Sequence, residues 1–484
     1  METPHVVTCH AAEKTVGFGG GLRLNSPTPF KVTFANMNRL IAFIVAFAAL
    51  ALSSSHAAGT DRKFDFNPAH SGFVSPETSF TTELGFGFEP GSKVGQGNGG
   101  VTSAEPFLFS IAVTEGNHSV KITFGDAKSA TTNTVKSEMR RLMLERVVTQ
   151  AGEFVTRTIT VNTRTPEFAV VGQVSSLSGE GEGSGAAQAR EATRSVEGTS
   201  QRTGETPVPL KQDRVRLKQR EKDGELVNWD NKLTLEFNGS RPGIASLEVS
   251  SAVVPTVFLL GDSTVCDQPQ EPWNSWGQML PRFFKSGVAI ANHAQSGESI
   301  KSSLGAKRFD KVFSGMKSGD WLFLQFGHND MKDKATNALE IYRMNLKKIA
   351  ARTREKGGTL VLVTSMERKG GVERDTLAGY PQTVRDVAKE DGVALIDLHA
   401  MSRVLYKALG TTLDKAFQDG THHNNFGSYE IAKCIAEGIR QNKFPLAKFL
   451  ADDFAGFDPA KPDAPAAFDV PESLARSEKK PDGN

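Results

Sequence analysis

The hydrophobic pattern of the chain changes near Pro255, and the pattern that follows is the strongest constraint on the fold. Five short apolar runs occur after this point: TVFLLGD, VAIANHA, DWLFLQFG, TLVLVTS and VALIDLH. Amphipathic stretches such as EIYRMNLKKIAARTREKG separate them. Strands that are apolar on both faces and alternate with helices are typical of a parallel sheet covered on both sides. The sequence therefore predicts a three-layer α/β/α domain with a five-stranded parallel sheet over residues 254–453.

The region before Pro255 shows the period of two that half-buried strands produce. SVKITF and KLTLEF each place three apolar residues on one face, and FVTRTITV shows a similar alternation. Short strands separated by Gly, Asn and Pro turns predict an antiparallel β-sandwich over residues 60–250. A stretch at about 175–209 is rich in Ser, Gly, Glu, Thr and Arg and has too little apolar surface to fold. It is predicted to be a disordered insertion, with a linker between two independent domains as the alternative.

Both ends of the chain differ from the two predicted domains. Residues 1–58 are predicted to be a leader, with the true start at Met37, because MNRLIAFIVAFAALALSSSHAAG has the order of a secretory signal peptide. Its apolar run of about a dozen residues is short for a membrane span, although a membrane anchor is the alternative. We therefore expect a secreted or periplasmic protein that has no membrane contact after signal cleavage. Residues 454–484 are rich in Pro, Asp and Ala and are predicted to be a flexible tail.

Charge and cysteine content narrow the classes of partner. The chain has 57 Lys and Arg against 55 Asp and Glu, a net charge of +2, and no basic stripe, so we expect no nucleic-acid partner. Of the three cysteines, Cys9 falls in the leader, and pairing of Cys266 with Cys434 is left open. The sequence contains no HExxH motif, no paired CxxC motif and no Gly-rich phosphate cradle that opens a helix. We therefore predict no metal and no cofactor, and no feature of the sequence indicates an oligomeric state.

Polar motifs follow the first three apolar runs. Ser263 comes after the first run, SGES around Gly297 after the second, and GHND at residues 327–330 after the third. Ligand sites of parallel α/β sheets lie outside the carboxyl ends of the strands, where these motifs are expected to meet. Each motif alone is more typical of a helix cap than of a catalytic group, and Asp330 is predicted to cap the helix after the third strand. Together the motifs predict one polar rim.

A partner for Ser263 occurs in the segment FQDGTHHNNFGSYEIAKCIAEGI, near the end of the predicted domain. A nucleophilic serine needs a base, and the base needs an acceptor that fixes its tautomer. Asp419 and His422 are three positions apart and can lie side by side in one turn. The carboxylate would then accept from one imidazole nitrogen while the other nitrogen faces Ser263. A capping Asp next to a surface His is the alternative.

These motifs resemble the four marker blocks of the SGNH, or GDSL, hydrolase superfamily. The counterparts are Ser263 in GDST, Gly297 in NHAQSGES, Asn329 in GHND and His422 in DGTH, in the order that the superfamily shows. The resemblance implies that Ser263 is the nucleophile, that His422 is its base, and that Asp419 orients His422. It also implies an oxyanion hole made by the backbone N–H groups of Ser263 and Gly297 and the side-chain amide of Asn329.

Within this superfamily, the blocks GDSTVCDQP, WGQMLPRFF, GYPQTVRDVA and DGTHHNNFGSYEIA are most similar to those of bacterial rhamnogalacturonan acetylesterases. The resemblance implies a secreted serine esterase that removes acetyl groups from plant cell-wall polysaccharide, preceded by a galactose-binding-like β-sandwich. Another SGNH esterase or lipase, such as an acetylxylan esterase, is one alternative. An inactive glycan-binding protein is another.

Four residues near the predicted site are expected to contact the substrate. Asp267 and Trp273 lie in the loop after Ser263, and an aromatic face suits a sugar ring. His328 and His423 each flank a proposed site residue. For both histidines a packed or solvated side chain is the alternative.

Overall fold

The structure is a computed structural model that describes residues 61–170, 211–224 and 226–482. The predicted leader and the predicted insertion lie outside the described residues. The described residues belong to one compact unit, Ala58–Asn484. Among them, no helix combines the length and the apolar character needed to cross a membrane.

The described part of the chain before Pro255 is built mainly from antiparallel strands. Their bounds are β1 Arg62–Asp65, β2 Phe86–Phe88, β3 Gly95–Gln96, β4 Val101–Thr102, β5 Phe107–Ala112, β6 Gly116–Gly125, β7 Thr131–Ser137, β8 Arg141–Thr149, β9 Phe154–Thr163, β10 Glu167–Val170, β11 Lys211–Arg214, β12 Lys232–Arg241 and β13 Gly243–Ser251. One sheet has the order β3-β4-β13-β6-β9 with β1 also paired to β13, and the other has the order β2-β5-β12-β7-β8. A two-stranded sheet, β10-β11, follows the β9 strand, and a short helix, Gln219–Gly224, comes after it.

The core of the sandwich follows from the alternation in the strands. Val120, Ile122 and Phe124 on β6 are fully buried, as the period of two predicts. Across the sandwich, Phe64 on β1 of one sheet packs edge-on against Phe109 on β5 of the other, with ring centroids 5.4 Å apart. The prediction of an antiparallel β-sandwich is therefore confirmed.

The parallel sheet begins immediately after the sandwich. Its strands are β14 Thr256–Gly261, β15 Ala289–Asn292, β16 Trp321–Gln325, β17 Thr359–Val363 and β18 Ala394–Ile396. They form one five-stranded sheet in the order β15-β14-β16-β17-β18, and every pairing is parallel. The helices that cover it are Trp276–Met279, Ile300–Gly305, Arg308–Gly315, Ala338–Glu355, Tyr380–Asp391, Leu398–Leu409 and Asn425–Gln441.

Both faces of this sheet are covered, as the interior strand β14 shows directly. Val257 and Leu259 belong to the hydrophobic core that contains the last long helix, Asn425–Gln441. Phe258 and Leu260 belong to a separate core on the opposite face. Because successive strand residues point to opposite faces, these two cores are the two helical layers. The predicted three-layer α/β/α architecture is confirmed.

Polar contacts join the sandwich to the α/β domain. Arg282 donates from Nε to Glu145 Oε2 at 2.8 Å, and the Tyr429 hydroxyl donates to the same oxygen atom at 2.8 Å. Gln278 donates to the backbone oxygen of Met139 at 2.6 Å. Strand β8 and the turn before it therefore lie directly against the first helix of the α/β domain.

The segment after residue 453, whose composition predicts a flexible tail, makes contacts with both domains. It has little regular structure apart from a short 3₁₀ helix, Pro465–Ala467. Nevertheless, Lys136 of the sandwich donates to Pro471 O and to Ser473 Oγ, both at 2.7 Å. The indole N–H of Trp273 donates to Ser477 O at 3.1 Å. Side chains of both domains therefore bind backbone carbonyl groups of this segment, and its flexibility stays a prediction.

Candidate active site

The first site residue lies at the carboxyl end of β14, where the chain must turn sharply. A Cβ atom on Gly261 would lie 2.7 Å from Gln325 O, so only glycine fits between β14 and β16. After it, the backbone N–H groups of Val265 and Cys266 both donate to Asp262 O at 3.0 Å. This turn holds Ser263 at the edge of the sheet, with 4% of its surface exposed.

Asp262 and His328 form a buried pair beneath this turn. Asp262 Oδ1 accepts from the backbone N–H of Thr264 at 2.9 Å and from its hydroxyl at 2.8 Å. Nδ1 of His328 lies 3.3 Å from Asp262 Oδ2, and its Nε2 lies 3.0 Å from Met366 O. Burial acts to raise the pKa of Asp262, but the charge and hydrogen bond of His328 and the bonds from Thr264 outweigh it and lower the pKa. The pair ties together the loops after β14, β16 and β17.

Ser263, His422 and Asp419 lie in one chain of hydrogen bonds. His422 Nε2 is 2.8 Å from Ser263 Oγ, and His422 Nδ1 is 3.0 Å from Asp419 Oδ2. Asp419 Oδ1 accepts the backbone N–H groups of Thr421 and His422, each at 2.7 Å. An ionised carboxylate only accepts, so Nδ1 carries the proton and Nε2 can take the proton of the serine hydroxyl.

The charge of Asp419 is stabilised by the groups around it. Burial acts to raise its pKa, but the hydrogen bond and charge of His422 and the backbone N–H groups of His422 and Thr421 outweigh burial. The pKa of Asp419 therefore lies well below its ordinary value. A permanent carboxylate on the Nδ1 side favours an imidazolium when Nε2 takes up a proton.

Gly297 and Asn329 lie in the loops that follow β15 and β16. The Gly297 loop is anchored by the Gln295 N–H, which donates to Gly261 O at 3.1 Å, and Gly297 has a φ of 74°, which favours glycine. The Asn329 side-chain amide donates to Glu298 O at 3.1 Å. This bond uses one of the two N–H bonds of the amide. Gly297 and Asn329 are both half-buried, so the rim is open to solvent on their side.

The residues expected to contact substrate are buried. Asp267, with 4% of its surface exposed, pairs through Oδ2 with Nε of Arg141 at 2.7 Å. His328 is held beneath the turn as described, and His423 Nε2 lies 3.1 Å from the Tyr406 hydroxyl. Burial, followed by the charges of His422 and His328, lowers the pKa of His423 to about 3. Internal partners bind both carboxylate oxygens of Asp267, both ring nitrogens of His328 and Nε2 of His423, and substrate contact by these residues stays a prediction.

Trp273 is also largely buried, but it touches the site. Its ring lies edge-on to the ring of His422, with centroids 5.9 Å apart and an interplanar angle of 87°. Only 5% of its surface is exposed, so it offers no open face to a sugar ring. Its contact with His422 makes it a packing partner of the imidazole.

Asp330 differs from the predicted cap of the helix after the third strand. Its Oδ1 accepts the backbone N–H of Ile300 at 2.9 Å, at the start of the helix Ile300–Gly305 that follows β15. Burial first, and then the charge of Asp262, raises its pKa to about 7. The carboxyl therefore joins the two loops that carry Gly297 and Asn329.

Side chains of the sandwich also reach the site, and no local pattern in the sequence indicates this. Arg140 and Arg141 lie at the turn between β7 and β8 and bind the loop after Ser263. Lys218 donates to Ser296 O at 2.5 Å and pairs with Glu298, on the loop of Gly297. These contacts depend on how the two domains pack against each other. The periodicity of a single segment carries no information on that packing.

One group of described residues has ligand atoms close enough to hold a metal ion: Glu367, Asp375 and His399. Nε2 of His399 lies 3.2 Å from Glu367 Oε2, and its Nδ1 lies 3.1 Å from a nitrogen atom of Arg385. Burial acts to raise the pKa of Glu367, but bonds from His399, Thr376 and backbone N–H groups lower it to about 2. Hydrogen bonds already occupy the buried ligand atoms, and a guanidinium lies beside them, so this group is explained as a structural network.

Comparison with known proteins identifies similar chains. The model of the GDSL-like lipase/acylhydrolase family matches residues 259–428. The chain is 37% identical over 217 residues to the rhamnogalacturonan acetylesterase RhgT of Bacillus subtilis (strain 168), covering 40% of this chain and 93% of that protein. It is 30% identical over 209 residues to the probable rhamnogalacturonan acetylesterase YesY of the same organism, covering 40% of this chain and 96% of that protein. The crystal structure of YxiM from Bacillus subtilis covers 80% of this chain and 99% of its own at 17% identity, with a TM-score of 0.40.

Proposed function

Because the chain belongs to the GDSL-like lipase/acylhydrolase family, the SGNH hydrolases, and is a carboxylic ester hydrolase, we propose that it removes O-acetyl groups from plant cell-wall polysaccharide. The proposed substrate is acetylated rhamnogalacturonan. The observation that carries the proposal is the chain of hydrogen bonds from Ser263 through His422 to Asp419. The choice of substrate is supported by the names of the two relatives from Bacillus subtilis.

In the proposed reaction, Ser263 Oγ attacks the carbonyl carbon of the acetyl ester while His422 Nε2 takes the hydroxyl proton. The bond between the acetyl carbon and the sugar oxygen then breaks, and His422 gives its proton to that oxygen. Water, deprotonated by the same nitrogen, then attacks the acetyl carbon. The bond from this carbon to Ser263 Oγ breaks, His422 returns the proton to Oγ, and acetate leaves. Asp419 keeps the imidazole in the tautomer that both half-reactions need.

The negative charge that develops on the carbonyl oxygen needs donors that are already in place. The backbone N–H groups of Ser263 and Gly297 and the remaining N–H of the Asn329 amide are the proposed donors. Loss of one such donor in an acyl-transfer enzyme typically costs about 3 kcal/mol of transition-state stabilisation. The bond of Asn329 to Glu298 O supports this role because it fixes the plane of the amide.

A polymeric cell-wall substrate requires the enzyme to act outside the cytoplasm. The segment MNRLIAFIVAFAALALSSSHAAG supports a secreted or periplasmic location, since it combines one Arg, an apolar run and small residues in the order of a signal peptide. N-terminal sequencing of the exported protein tests this part of the proposal, and a mature chain that begins well before Ala57 would contradict it.

The substrate is tested by measuring acetate release from acetylated rhamnogalacturonan and from acetylated xylan, at equal concentrations of acetyl groups. We expect a higher kcat/KM on rhamnogalacturonan. A preference for xylan would replace the proposed substrate with another acetylated polysaccharide. Binding to polysaccharide without hydrolysis of any acetate ester, including p-nitrophenyl acetate, would overturn the proposed activity itself.

A further inference from the structure

The turn between β7 and β8 of the sandwich is inserted among the loops of the active site. Glu138 and Arg140 in this turn have φ values of 52° and 61°, in the left-handed region that residues with side chains seldom adopt. Both are buried, with 7% and 5% of their surfaces exposed. A buried turn keeps such a backbone only where its surroundings hold it. The contacts of Arg140 show what holds it.

The guanidinium of Arg140 binds the loop that follows the nucleophile. Its Nη1 donates to Gln268 O at 3.0 Å and to Trp273 O at 2.9 Å. Its Nη2 pairs with Glu271 Oε2 at 2.6 Å. One side chain therefore fixes three positions of the loop over a span of six residues.

The loop that Arg140 binds is connected to Ser263 on one side. The side-chain amide of Gln268, whose backbone oxygen accepts from Arg140, donates to Ser263 O at 2.7 Å. The next residue of the sandwich, Arg141, supports the same loop, since it pairs with Asp267 and Asp267 accepts from Asn292 at 2.8 Å. Residues of the sandwich therefore stabilise the backbone that carries the nucleophile.

The same guanidinium reaches the segment that carries His422. Nη2 of Arg140 donates to Asn425 Oδ1 at 3.2 Å, at the start of the last long helix. Trp273, whose carbonyl oxygen Arg140 binds, packs its ring edge against the His422 imidazole. Arg140 is therefore bonded to both segments whose separation sets the distance between Ser263 and His422.

We infer that Arg140 is a positioning residue for ester hydrolysis, and that the sandwich supplies part of the machinery that aligns Ser263 with His422. The inference rests on the proposed function, because it takes Ser263 as nucleophile and His422 as base. Only a planar guanidinium, with several donors in fixed directions, can bind two carbonyls, one carboxylate and one amide at once. A lysine would keep the charge facing Glu271 and lose most of the other bonds.

The test uses the full chain with Arg140→Met and Arg140→Lys. A matched control, Arg241→Met, removes an arginine whose partners Asp126 and Ala130 lie within the sandwich. Hydrolysis of p-nitrophenyl acetate is measured, and active sites are counted by labelling with a fluorophosphonate, with Ser263→Ala as the blank. Because kcat is then expressed per labelled site, molecules that have merely unfolded do not contribute to it.

For Arg140→Met we expect kcat per labelled site to fall about 100-fold with little change in KM, since small displacements of reacting groups have effects of this size. Arg140→Lys is expected to recover part of the loss, and Arg241→Met to keep the wild-type kcat. If Arg140→Met does not fold, Arg140→Lys is used instead, and its kcat per labelled site is expected to fall about tenfold.

Wild-type kcat per labelled site in Arg140→Lys, or in a folded Arg140→Met, would overturn the inference, even if the melting temperature falls. This outcome differs from failure of the proposed function. If Ser263→Ala hydrolyses the ester as fast as the wild type, the assignment of the nucleophile fails, and the inference falls with it.

Discussion

The Nε2 atom of His422 lies 2.8 Å from the Oγ atom of Ser263, although 159 positions separate the two residues in the chain. The parallel sheet brings Ser263 to the carboxyl end of β14, and a loop before the last long helix brings His422 above it. The side chains make this contact while both residues are almost completely buried. The fold therefore sets the distance between the two side chains, and replacing either residue or its neighbours tests their roles.

Replacement of Asp419 by Asn tests the acceptor behind His422. Asn keeps an oxygen for the backbone N–H groups of Thr421 and His422 but presents an N–H to His422 Nδ1, which favours the wrong imidazole tautomer. We expect kcat for p-nitrophenyl acetate to fall by about 10⁴-fold with the fold intact.

The matched control for this prediction is Asp414→Asn, which alters an exposed carboxylate paired with Lys369. It is expected to keep wild-type activity. An Asp419→Asn variant within tenfold of the wild type would show that the carboxylate does not set the tautomer.

Replacement of Asp330 by Asn tests a buried carboxyl between the loops of Gly297 and Asn329. Burial and the charge of Asp262 raise its pKa to about 7, from an ordinary value of 3.8. Between these values the folded chain keeps a proton that the unfolded chain has lost, so the stability of the wild type falls as pH rises through this window. Asn has no such proton and keeps the oxygen that accepts from Ile300.

The free energy of unfolding of Asp330→Asn minus that of the wild type is therefore expected to increase between pH 4 and pH 8, by up to about 4 kcal/mol. Urea unfolding at several pH values measures it. A difference between variant and wild type that stays constant over this range would contradict the raised pKa.

Gly427 in the first turn of the last long helix has no room for a side chain. A Cβ atom there would lie 2.1 Å from Ala416 O and 2.7 Å from Cδ2 of His423, next to His422. We expect Gly427→Ala to lose about 1–3 kcal/mol of stability, because the added methyl group must displace the loop. The melting temperature and kcat should both fall. The control is Gly315→Ala, at a helix position with open space, and it should not lower the melting temperature. A Gly427→Ala variant that melts at the wild-type temperature would contradict the close packing.

Much of the fold follows from local pattern. The five apolar runs became the five parallel strands because a strand covered on both faces needs apolar residues at every position. The order of strands along the sheet then places the loops of Ser263, Gly297 and Asn329 at one edge, which is why motifs far apart in sequence could be predicted to meet.

The surroundings of these motifs could not be predicted in the same way. Asp267 looks like a loop carboxylate in the sequence, but Arg141 of the other domain neutralises it in the interior. The segment after residue 453 has the composition of a loose tail, yet Lys136 and Trp273 bind its backbone. In each case the decisive partner comes from a distant part of the chain, and composition and periodicity carry no information on such pairing.

The most direct measurement of the central claim is acetate release from acetylated rhamnogalacturonan by the wild type and by Ser263→Ala. An exposed serine, Ser318, provides the control Ser318→Ala. We predict release by the wild type and the control, and a loss of about 10⁶-fold in kcat for Ser263→Ala, since the nucleophile, base and acceptor act as a unit. Equal release by Ser263→Ala and the wild type would contradict the account.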